Sequence, residues 1–187
     1  MFKRSSSIKE LNLDGNGLSV AGVRSMVPFL QNANSLIRLD LDKNNIQSEG
    51  FNALFRALSD SPIAQLYCSI CGIESIEIDS ERMPKYLKNL TLSRNEINAN
   101  GCREIAKLLQ GADVILESLL LNRNKIDDDG VEILVGALQN NKSLKTLELG
   151  GNCLSKQGEV MLLKLVNDIS RLKQRFNQII LCRIFLV

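Results

Sequence analysis

The stretch Leu116-Glu117-Ser118-Leu119-Leu120-Leu121-Asn122-Arg123-Asn124-Lys125-Ile126-Asp127-Asp128-Asp129-Gly130 places apolar residues at 116, 119 and 121, then Asn124, Ile126 and Gly130. The same spacing occurs as Ile8-Leu11-Leu13-Asn16-Leu18-Gly22 and Leu36-Leu39-Leu41-Asn44-Ile46-Gly50. It returns as Leu87-Leu90-Leu92-Asn95-Ile97-Gly101 and Leu144-Leu147-Leu149-Asn152-Leu154-Gly158. With an irregular third copy, the starts fall at residues 8, 36, 63, 87, 116 and 144, so the period runs from 24 to 29 residues. A self-similar unit of this length is one supersecondary element that buries its apolar face only by stacking on its neighbours.

Each half of the unit has its own physics. Leu39-Asp40-Leu41 alternates apolar and polar residues, which predicts a short strand with one buried face. The following Asn lies where the chain leaves the strand, and its amide can both donate to and accept from turn backbone. Asn16, Asn44, Asn95, Asn124 and Asn152 are therefore expected to stack as a buried ladder. Ser19, Asn98, Asp127 and Ser155 stand where an N-cap opens a helix. Four and eight residues after the Gly come Met26 and Leu30, Leu54 and Leu58, Ile105 and Leu109, Leu134 and Leu138, and Leu162 and Val166. These form one apolar helix stripe.

The period and signature resemble leucine-rich repeats of the ribonuclease-inhibitor-like class, which also includes Ran GTPase-activating proteins and the sensor arrays of NOD-like receptors. The resemblance covers residues 8–166. It implies an α/β solenoid shaped as a curved horseshoe, with parallel strands on the concave face and helices on the convex one. Residues 1–7 read as a tail, and 167–187 as a helical extension ending in the apolar run Ile179–Val187. That run has three open readings: a seventh strand over the last repeat, a partner contact, or a fragment of a longer reading frame. The third repeat, Ile63-Leu66-Cys68-Cys71-Ile73, puts Cys71 in the Asn slot. Its second half, Glu74 to Tyr86, lacks the Gly and contains Met83-Pro84, so a truncated helix or irregular loop and a local change of curvature are expected.

Composition removes much chemistry. The 187 residues include no His, which excludes a Ser-His-Asp triad, a Cys-His dyad and His metal ligands. A net charge of +2 is too small to point to nucleic acid. The five Cys are odd in number and irregularly spaced, as reduced thiols are. Cys68-x-x-Cys71 lacks the further ligands zinc needs, and Asp127-Asp128-Asp129-Gly130 fails the calcium-loop register, its acids suiting a helix N-terminus. No phosphate loop, nucleophile elbow or cofactor motif is present. The N-terminus has no signal-peptide core, and the run 179–187 is too short for a membrane span, so a cytoplasmic location is expected.

Function then rests on the residues directed from the concave face. Arg38, Asp40, Asp42, Tyr67, Ile70, Arg94, Leu120, Arg123 and Glu148 are the candidate partner-binding set, acidic early, apolar at the centre and basic late. The reading is a non-enzymatic module for a protein partner, without metal or cofactor, with the oligomeric state left open. The resemblance also allows a regulator of a small GTPase, or a sensor fragment of an immune receptor or microbial effector.

Overall fold

One leucine per strand sets the sheet. Leu11, Leu39, Leu66, Leu90, Leu119 and Leu147 stand opposite one another at the centres of six parallel strands paired in sequence order. The computed structural model describes residues 7–171. The strands are β1 (Glu10–Asn12), β2 (Arg38–Asp40), β3 (Gln65–Tyr67), β4 (Asn89–Thr91), β5 (Ser118–Leu120) and β6 (Thr146–Glu148). The helices are α1 (Val20–Leu30), α2 (Gln47–Ala57), α3 (Ala99–Gln110), α4 (Asp128–Leu138) and α5 (Lys156–Arg171). Together they make the curved α/β solenoid expected from the repeat. Residues 1–6 and 172–187, and with them the readings of the apolar tail, lie outside the described residues.

The core runs between the sheet and the helix layer. Leu54, Leu58, Ile105, Leu109, Leu134, Leu138 and Leu162, all members of the expected stripe, are buried there. Each such side chain contributes roughly 1.5–3 kcal/mol of apolar burial. Ser19, Asn98 and Asp127 cap α1, α3 and α4 through their side chains, and Ser155 Oγ accepts the Gln157 amide at 3.0 Å. Helix α2 has no side-chain cap. Its first residue, Gln47, has φ +56° and donates its amide to Cys71 O at 2.9 Å. The repeated Gly admits close helix packing, since a Cβ on Gly130 would lie 2.9 Å from Ile126 Cγ2 and 3.2 Å from Cys102 Sγ.

The asparagine ladder is built by reaching back one repeat. Asn95 Oδ1 accepts the amides of Cys71 and Ile73, and its Nδ2 donates to Cys68 O and Leu92 O. Asn44, Asn124 and Asn152 likewise donate to a carbonyl of their own repeat and to one of the repeat before. Cys71 substitutes in the same slot, its thiol donating to Leu41 O at 3.2 Å. Asn16 departs from the expected buried ladder. It is exposed and donates only locally, to Asp14 O at 3.1 Å, because no strand precedes β1 among the described residues.

The third repeat forms no helix. Residues 74–78 instead run without regular structure, burying Ile76 and Ile78. Neighbouring helices supply the missing hydrogen bonds: Ser48 Oγ accepts the amides of Glu74 and Ser75, Asn52 Oδ1 that of Glu77, and Glu104 Oε2 that of Ile78. As a consequence α1 packs on α2, and α3 on α4 and α4 on α5, whereas α2 and α3 do not pack closely on each other.

Candidate partner-binding face

The residues flanking each strand leucine form the concave face. At its centre the Arg38 guanidinium lies 4.6 Å from the Tyr67 ring centroid, a cation–π distance, and the Tyr67 hydroxyl donates to Gln65 Oε1 at 3.1 Å. Tyr67 and Leu120 are both half-buried, so neither stands fully clear of the surface. Asp40 offers even less. It is only 8% exposed, lies 3.5 Å from Arg38, and accepts the Asp42 amide at 3.2 Å. Its carboxylate is occupied in holding the strand end, a role the alternation of residues did not distinguish from an outward one.

Asp42 Oδ1 accepts the Ser69 amide of the next repeat at 2.6 Å, and Asn122 Oδ1 accepts that of Gly150 at 2.7 Å. Burial raises the Asp42 carboxyl pKa above its ordinary value; the Ser69 hydrogen bonds offset this in part, while the nearby Asp40 and Asp14 carboxylates add to it. Asp14 in turn pairs with Lys43 at 3.0 Å. Glu148 accepts a hydrogen bond from the Asn122 side chain. The acidic half of the face is thus largely neutralised or hydrogen-bonded within the fold.

The next residue in each repeat carries a feature that the alternation did not reveal. Gly15, Lys43, Ile70, Arg94, Arg123 and Gly151 all have φ between +55° and +72°, the left-handed region. For an L-residue this conformation costs roughly 1–2 kcal/mol, and a β-branched side chain is the least suited to it. Ile70 adopts it and remains 42% exposed. Arg94 and Arg123 are exposed as well. The legible signal was the pair of glycines at the two ends of this column.

Burial holds the thiols of Cys71 and Cys102 in the protonated form, pushing them up to about 11 and about 12, and raises that of Cys68 as well. The Cys68/Cys71 pair is accordingly packing. Among the described residues no helix is long and apolar enough to cross a membrane.

A family model described as Leucine Rich repeat matches residues 4–27, 32–55, 115–135 and 140–162, leaving out the segment that contains the helix-less repeat. The ribonuclease inhibitor of Sus scrofa is 27% identical over 193 residues, covering 84% of this chain and 42% of that protein. The chain carries leucine-rich repeats and is similar to the ribonuclease-inhibitor-like class. NACHT, LRR and PYD domains-containing protein 14 of Mus musculus is 29% identical over 161 residues, covering 83% of this chain and 16% of that protein. The chain therefore spans less than half the length of these curated relatives. A solved structure of leiomodin-1 actin-binding site 2 shares the leucine-rich-repeat fold with a TM-score of 0.51 at 14% identity, over 91% of this chain and 87% of that one.

Proposed function

We propose that this chain is a non-enzymatic protein-interaction module that takes a protein partner on the concave strand face. The observation that carries the reading is the Arg38–Tyr67 pair. An aromatic ring and a guanidinium from the neighbouring strands β2 and β3 are held together at 4.6 Å. Tyrosine and arginine are the side chains that dominate binding energy at interfaces, and their ordering before contact lowers the entropy lost on association. The regular positions of every repeat serve stacking and capping, which leaves recognition to the residues between them. Likeness to a ribonuclease inhibitor and to an NLR-type protein supports a binding role.

The test is a pull-down from source cells with the tagged chain and with the combined variant Tyr67→Ala, Arg94→Glu, Arg123→Glu. The variant is expected to keep its Tm within a few degrees and to lose the proteins that the parent chain retains. The same protein set recovered with both would remove the concave face from consideration.

A further inference from the structure

The basic half of the concave face, unlike the acidic half, is left without internal partners. Arg94 and Arg123 occupy the same left-handed position in adjacent repeats, tied through the Arg94 amide and Asn122 O at 2.7 Å. Neither joins an ion pair among the described residues, whereas Lys43 in the same column is paired with Asp14. Neighbouring parallel strands lie about 4.8 Å apart, so the two like-charged residues stem from adjacent backbone positions of one column. Such a pair is unfavourable by itself. A carboxylate, which matches the guanidinium fork in shape and charge, relieves it.

Ile70 precedes them in the column and presents an exposed aliphatic surface from a backbone conformation that Gly or Asn would adopt at lower cost. An isoleucine at this exposed, left-handed position serves neither the core nor the turn. A long phosphate backbone crossing this face would meet Asp42 on one side and Glu148 on the other, so a short anion bearing two charges fits better than a polyanion.

We propose that Ile70, Arg94 and Arg123 dock an acidic segment of a protein partner. The segment crosses the third to fifth repeats, with two carboxylate side chains on the arginines and one aliphatic or aromatic side chain on Ile70. The proposal rests on the concave face being the interaction surface and narrows it to the chemistry of the partner.

The probe is a displayed library of random dodecapeptides selected on the chain, followed by fluorescence anisotropy with the best synthetic peptide. Enriched sequences are expected to carry two acidic residues near a Leu, Ile, Phe or Trp. Arg94→Asn with Arg123→Asn, which suits the left-handed backbone, is expected to weaken the peptide about tenfold or more at low salt and to leave the Tm unchanged or higher. Ile70→Asn is expected to raise the Tm while weakening the same peptide several-fold, a divergence that a purely structural residue does not produce. An enriched set without acidic excess, no enrichment, or unchanged affinity in the double Asn variant overturns the proposal. If that affinity is unchanged but Tyr67→Ala abolishes it, the concave face stands and only the acidic-segment assignment falls. If none of these variants alters it, both readings fall. A single-stranded oligonucleotide that competes more strongly than the peptide also overturns the proposal, in favour of a phosphate ligand.

Discussion

Asn95 hydrogen-bonds backbone groups of two repeats with a single amide, among them Cys71, Ile73, Cys68 and Leu92, and it is 4% exposed. Truncating it leaves those groups unpaired where water does not reach, so Asn95→Ala should cost about 2–3 kcal/mol, at the upper end for a buried group deprived of its partner. Asn16→Ala, at the exposed end of the same column, should stay within about 0.5 kcal/mol. Urea midpoints that moved equally for both would contradict the reach-back construction. Asp42 provides a test in which pH decides. Its folded pKa lies above the ordinary 3.8, so ionising it is harder in the folded state than in the unfolded chain. That penalty is absent below pH 3.8 and fully present above the folded value. Asp42→Asn keeps the acceptor for the Ser69 amide, as Asn122 does for Gly150, so it should raise the Tm at pH 7. The gain should vanish in scans below pH 3.8; a gain that persisted there would rule out the ionisation cause. The Asn column was legible because its place within the repeat unit is constant, but the exposure of Asn16 depends on what precedes β1, which a repeat pattern does not encode.

The helix-less third repeat shows what an element needs from its neighbours. The missing Gly and the Met83-Pro84 pair announced the loss of the helix. The side chains that replace its hydrogen bonds were not legible, because Ser48, Asn52 and Glu104 belong to other repeats and look like ordinary helix-surface residues. Asn52 is 7% exposed and holds the Glu77 amide at 3.1 Å. Asn52→Ala should therefore destabilise by about 1–2 kcal/mol and speed amide exchange at Glu77. Arg56→Ala breaks only the exposed pair with Glu77 and should fall within about 0.5 kcal/mol. If the Arg56 change proved the costlier, the segment would be held by charge at its surface rather than by the buried amide beneath it. The N-caps were read correctly for a simpler reason: Ser19, Asn98, Asp127 and Ser155 act on amides two or three residues away, within their own repeat.

At the scale of the whole molecule, stability in a solenoid is a sum of repeat terms and nearest-neighbour interfaces. The sheet is continuous through all six strands, while the helix layer is interrupted between α2 and α3. Coupling across the third repeat therefore runs through the strands, the ladder and the extended segment, without direct helix packing. Two halves follow, one holding α1 and α2, the other α3, α4 and α5. Leu39→Ala removes a fully buried side chain from β2 in the first half and should cost about 2–5 kcal/mol there. Native-state hydrogen exchange should show the loss in α1 and α2, at amides such as Leu54 and Phe55, while Leu108 and Leu109 of α3 keep most of their protection. The reciprocal change, Leu119→Ala in β5, should spare α2 and loosen α3 and α4. Equal loss of protection in both halves for either variant would mean that the strand layer alone makes the array one cooperative unit, and that the absent helix has no energetic consequence beyond its own repeat.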